Sequence, residues 1–367
     1  RKGSVSPSGL VLISPALEFS MLRGEDYDPL PWALQLPSYA AVKLESEGTT
    51  SREALAAALK DVEQYAMTDY LVALASGVQK GGEAASAKVA DLTGLPLEKV
   101  QQYFARVPQS LFVKEFDRDD GQVLSLYDGS VGGPDPHPSS AWPRGPDPVL
   151  DATVPLWSQA FVQYAAEDLG YETDEEFKLL NRKISGRWDY GTSPTKQGYA
   201  GALDDIQEAR AANKNLEVLI ASGYTDLITP YSVPAYLVGQ LPPLKGAKPI
   251  ELRNYAGGHM LYLRAPSRLH LKQDAQAMYE RATGEKGSEA SVESIGFSRA
   301  TRRGQYFPKN PARALSATSA MTAMASVSDP NATSCCPAAT RRSVQGSSAA
   351  KLARQKRQVL SAVMPAT

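Results

Sequence analysis

The sequence predicts an α/β fold: a parallel sheet carrying a mainly helical insertion, followed by a basic, low-complexity tail. Three observations predict it. Short apolar runs rich in β-branched residues alternate with helical patterns, a long intervening block departs from that rhythm, and the C-terminal stretch loses apolar periodicity altogether.

Gly9-Leu-Val-Leu-Ile-Ser14, bounded by Gly9 and Pro15, reads as a buried strand of a parallel sheet. Leu216 to Ala221 and Pro249 to Arg253 read as two more strands, each followed by a loop with polar residues. Helical patterns cover Pro194 to Asn213, with Leu203 and Ile206 at helical spacing, then Thr229 to Leu241 and Pro266 to Thr283. Thr229 and Pro230 read as the N-cap and first residue of the second of these helices. In such a sheet, functional residues belong in loops beyond the carboxyl ends of the strands.

The core therefore divides into residues 1–29 and 187–283, with 30–186 as an inserted helical cap. Within the cap, Ser51 to Ala66 carries Leu55, Leu59 and Val62 on one helical face, and Pro96 to Arg106 carries Leu97, Val100 and Phe104 on another. Gly132 to Pro148 contains six prolines, which exclude a helix or a central strand and leave a surface loop.

Residues 284–367 form the tail, which is rich in Ser, Ala, Thr and Arg. It offers too little apolar surface to offset ordering entropy, so disorder is expected, with a basic helix conceivable over Ser348 to Val363. Residues 285–367 hold 12 Lys/Arg against four Asp/Glu, a net charge of +8, whereas the remainder holds 27 against 36, a net charge of −9. Without aromatic interleaving, the basic tail does not point to nucleic acid.

The only cysteines, Cys335 and Cys336, lie in the tail, so the body depends on neither a disulfide nor thiolate-bound zinc. The three histidines lack any Glu-x-x-His spacing, which argues against a metal, and no organic cofactor is implied. No apolar run reaches the roughly 18 residues that a membrane span needs.

The chemistry-bearing residues are Asp226, at the end of the run Leu216 to Asp226, and His259, after Asn254-Tyr-Ala-Gly-Gly. Gly257 and Gly258 let the backbone turn sharply and set the imidazole at the mouth of the sheet. An aspartate followed by a histidine matches the order of the second and third members of an α/β-hydrolase triad. Asp226 would fix the tautomer of His259, which would serve as general base. Taken singly, Asp226 also fits a turn or capping role and a lone His259 is a weak sign, and the pairing is what favours catalysis. Tyr224 and Met260 flank the pair, open to substrate contact or to a core or rim role. Trp142, Trp157 and Trp188 are open to lining a pocket or packing in the core. No Gly-x-Ser-x-Gly occurs and the chain does not begin with Met, so it is expected to be a fragment that starts just after its nucleophile.

The residues resemble bacterial members of the serine carboxypeptidases, a branch of the α/β-hydrolase fold. Gly9 to Pro15 resembles the strand after the nucleophile helix, Ala221 to Leu227 the aspartate segment, and Gly258-His259-Met260 with Pro266 the histidine segment. Asp168 to Thr173 and Trp188-Asp-Tyr-Gly191 are similar to bacterial relatives, and the likeness spans about residues 9 to 283. It implies a peptide substrate, Asp226 as the acidic triad member, His259 as the base, Met260 on the substrate side and a helical cap between two core strands. It also makes a secreted or periplasmic setting plausible. The nucleophile elbow, oxyanion hole and carboxylate-recognising groups have no matching positions, so the chain by itself is expected to be inactive. An esterase, lipase or acyltransferase on the same scaffold, or a non-catalytic binding protein, are the alternatives. Oligomeric state is not legible.

Overall fold

The computed structural model describes residues 6–22, 27–171, 173–185 and 201–284. All of these lie in a compact unit spanning Arg1–Glu289. The expectations for Trp188 to Gly191, for the first part of the Pro194 helix and for residues 285–367 lie outside the described residues.

The protein is mixed α/β. Its main sheet contains β1 (Gly9–Ile13), β4 (Glu217–Gly223) and β5 (Ile250–Tyr255), in the order β1-β4-β5 and parallel throughout. A second, antiparallel pair joins β2 (Gln122–Leu124) to β3 (Gly132–Pro134). Every residue of β4 is buried, as a central parallel strand covered on both faces requires. Alternation along the strand sends Val218 and Ile220 to one face and Leu219 and Ala221 to the other.

The first face packs with Leu10, Leu12, Ile250 and Leu252 against helical residues Leu34, Ile206, Val233 and Leu237. On the second, Ala221 and Tyr255 meet Leu261 and Leu271. The expected burial of the first strand is only partial: β1 pairs with β4 alone among the described residues, and Ile13 is 41% exposed.

Between β1 and β4 run α1 (Pro29–Ser46), α2 (Arg52–Ala58), α3 (Lys60–Tyr65), a π-helical turn (Ala66–Tyr70), α4 (Leu71–Ala75), α5 (Val78–Thr93), α6 (Leu97–Gln102), α7 (Gln109–Glu115), α8 (Leu150–Glu167), α9 (Arg182–Ser185) and α10 (Leu203–Ala212). After β4 come α11 (Ser232–Gln240) and α12 (Ala265–Thr283). The expected helix from Ser51 to Ala66 is broken into α2, α3 and the π turn, and its Leu55, Leu59 and Val62 face is buried.

The expected helix to Arg106 ends instead at Gln102, because Phe104 and Ala105 take φ of 51° and 62°. Two buried phenols anchor that break, Tyr70 donating to the Ala105 carbonyl at 2.6 Å and Tyr39 to the Val107 carbonyl at 3.0 Å. Val100 is buried there, whereas Leu97 and Phe104 are exposed. The proline-rich loop contributes the short strand β3, and Lys114 holds it by pairing with Asp135 and donating to the His137 carbonyl at 2.9 Å.

Trp142 and Trp157 are exposed, and α8 buries only Ala165. The last helix ends at Thr283 with Gly284 as its left-handed cap, where the sequence pattern stops. Among the described residues, no helix is long and apolar enough to cross a membrane.

Candidate active site

The three parallel strands bring three loops together at their carboxyl ends. Ser14 follows β1, Asp226 lies just beyond β4, and His259 lies just beyond β5. The aspartate and histidine meet directly: His259 Nδ1 lies 2.9 Å from Asp226 Oδ2. An ionised carboxylate can only accept, so Nδ1 carries the proton of this bond and Nε2 is the nitrogen left for proton transfer. Nε2 has no hydrogen-bond partner among the described residues. The Asp226 side chain is fully buried, while the imidazole is 30% exposed.

Asp226 is held tightly by its own loop. Its Oδ1 accepts from the backbone N–H groups of Ile228 at 2.8 Å and Thr229 at 2.9 Å, and Oδ2 accepts the Thr229 hydroxyl at 2.5 Å. The Thr229 hydroxyl also lies 3.1 Å from His259 Nδ1, so it braces both members of the pair. This corrects the reading of Thr229 and Pro230 as the start of a helix, for α11 begins at Ser232 and has no side-chain cap. The threonine caps Asp226 instead.

Close approach explains the glycines. A Cβ on Gly223 would lie 2.2 Å from the Gly258 carbonyl oxygen and 2.3 Å from that of Gly257, and one on Gly258 would lie 2.1 Å from the Tyr127 carbonyl oxygen. Gly257 has φ of 111°, which a side chain would oppose.

The remaining expected residues divide. Met260 directly follows His259, is half-buried, and opens the turn Leu261–Leu263. Tyr224 is not brought to the pair; it lies buried among Ala40, Ala41, Leu55, Leu59 and Tyr231. His137 sits exposed in the proline-rich loop and His270 on α12.

Ser14 is near the pair but does not face the imidazole. Its hydroxyl donates to the His259 carbonyl at 2.9 Å, and its φ of 47° marks a strained strand end. Among the described residues, no group of three or more His, Cys, Asp or Glu could hold a metal ion.

Sequence reading missed a second ring of residues. The Tyr127 ring meets the His259 ring edge-on at 5.7 Å, and its carbonyl accepts from the His259 backbone at 2.6 Å. Asp128 accepts from the Thr225 hydroxyl at 2.7 Å and from Arg264, which also forms a two-pronged pair with Glu45 at 2.5 and 2.9 Å. Burial acts to lower the Arg264 pKa, but the hydrogen bond to Glu45 and the charge of Asp128 outweigh it and raise the value.

One residue from Tyr127, Leu126 lines a cavity of about 320 Å³ with Leu22, Pro31, Trp32, Gln35 and Tyr39. Comparison with protein-family models, with curated proteins and with solved structures finds no match to this chain.

Proposed function

We propose that this chain supplies the aspartate and histidine of a serine hydrolase of the α/β-hydrolase fold that acts as a carboxypeptidase. The observation that carries the reading is the Asp226–His259 pair at the carboxyl ends of adjacent parallel strands, with Nδ1 held at 2.9 Å and Nε2 left for a reacting hydroxyl. The order β1-β4-β5, with a helical block inserted after β1, supports the same reading.

The serine would come from a segment outside these residues, on a strand pairing with the edge of β1 that has no partner among the described residues. His259 Nε2 would take its proton as the serine oxygen attacks the scissile carbonyl. The resulting imidazolium, stabilised by ionised Asp226, would return that proton to the leaving amine, and water would then release the acyl group by the same steps.

Aspartate and histidine do identical work in esterases. The choice of C-terminal peptide bonds therefore rests on the resemblance of residues 221–227 and 258–260 to serine carboxypeptidases. The cavity beside Leu126, mostly apolar but with Gln35, Gln109 and Ser110 in its wall, suits an apolar side chain of the substrate.

The test is turnover of a blocked dipeptide by a protein in which these residues are joined to their nucleophile-bearing segment. Asp226→Asn and His259→Ala should each lower turnover by about 10³-fold or more, and His137→Ala should not. Equal loss in the His137 variant would remove His259 as the base.

A further inference from the structure

The residues flanking the pair converge on one short loop. Thr225, immediately before Asp226, donates its hydroxyl to Asp128 at 2.7 Å and receives on its carbonyl the Gly129 N–H at 2.9 Å. On the other side, His259 donates its backbone N–H to the Tyr127 carbonyl at 2.6 Å, and Gly258 packs so closely that a Cβ there would lie 2.5 Å from the Asp128 Cα. Residues 127–129 thus lie between the aspartate loop and the histidine loop and touch both. This segment belongs to the helical block rather than to the sheet, since it joins β2 to β3.

What holds the segment is ionic. Asp128 is 9% exposed and accepts from Thr225, from the Ser130 N–H and hydroxyl, and from Arg264 at 3.2 and 3.3 Å. Arg264 is in turn clamped to Glu45 of α1, and its side chain lies where a Cβ on Gly257 would meet it at 3.1 Å. A partly desolvated carboxylate that fixes several donors resists displacement far more than a neutral loop does.

We infer that Asp128 is a positioning residue: locked by Arg264 and Glu45, it sets the spacing of the Asp226 and His259 loops and so the length of their hydrogen bond. The inference rests on the geometry of the pair and not on the identity of the substrate.

The test uses the whole chain and needs no substrate. Proton NMR should show the His259 Nδ1–H far downfield, assigned by its loss in His259→Gln, and its solvent-exchange rate reports the bond to Asp226. Asp128→Asn and the near-isosteric Thr225→Val should each speed that exchange by about tenfold or more, because a hydrogen bond to a charged group is lost or weakened. Tyr70→Phe, which removes a buried hydrogen bond elsewhere in the helical block, should leave the rate within about twofold while lowering stability.

If Asp128→Asn and Thr225→Val leave the rate at the wild-type value, or if Tyr70→Phe raises it as much, the inference is overturned. Should Asp128→Asn fail to fold, Thr225→Val decides. A wild type without the downfield proton, or one that keeps it in Asp226→Asn, would instead overturn the Asp226–His259 pair and the proposed reaction with it.

Discussion

Thr229 illustrates how much of the site depends on single polar atoms. Its hydroxyl and backbone N–H both donate to the buried Asp226 carboxylate, alongside the Ile228 N–H and the His259 Nδ1–H. Thr229→Val should cost about 1.5 to 3 kcal/mol, the range for a hydrogen bond to a charged group, read as a shift in urea unfolding. A loss below about 0.5 kcal/mol would mean that the backbone donors alone suffice.

The pairing of Asp226 with His259 was legible because each follows a predicted strand and the two fall in triad order. The partners of Asp128 were not, since Thr225 lies 97 residues away and Arg264 lies 136 away, and nothing local marks such contacts. Tyr224 read as equally open to core and substrate roles, and its burial beside Tyr231 depends on α2 and α3 folding over it.

At the level of elements, the turn after β4 and the turn after β5 are built against each other. Gly223→Ala would drive a methyl group into two carbonyl oxygens that are both backbone, with no flexible side chain to yield. We expect a loss of about 3 kcal/mol or more, with displaced His259 backbone resonances; a neutral substitution would show that the loops are not tightly docked.

A second expectation concerns the hairpin of β2 and β3. The hydrogen bond from Lys114 lowers the Asp135 pKa, and the His137 N–H and nearby positive charge act the same way against the opposing effect of burial. A lowered carboxylate pKa contributes stability that is complete above its unfolded value and is lost as pH falls through the folded value. Below about pH 4, thermal stability of the wild type should therefore fall more steeply than that of Asp135→Asn, and parallel curves would count against it.

The three strands of the main sheet and the end of α12 before Gly284 were readable from local residue patterns, whereas β2, β3 and the start of α11 were not. The break after α6 was not, because it is anchored by Tyr70 and Tyr39 from distant helices.

Across the whole molecule, the order of the main sheet follows chain order, which places Asp226 and His259 beyond adjacent parallel strands. The first strand, which read as one of a parallel sheet, is half-buried, because burial requires a neighbour on each side and β1 has only β4 among the described residues. Leu156, Trp157, Phe161 and Val162 on α8 are exposed, although apolar residues at helical spacing usually pack inward.

These features bear on the central claim, that residues 1–367 hold the base and its orienting acid for a serine that lies elsewhere. The most direct measurement is labelling by a serine-directed phosphonate, mapped by mass spectrometry, on a protein in which this chain is joined to its nucleophile-bearing segment. The predicted result is stoichiometric labelling of one serine outside residues 1–367, abolished by His259→Ala and strongly slowed by Asp226→Asn. Labelling of a serine within these residues, Ser14 included, or labelling indifferent to His259, would contradict it.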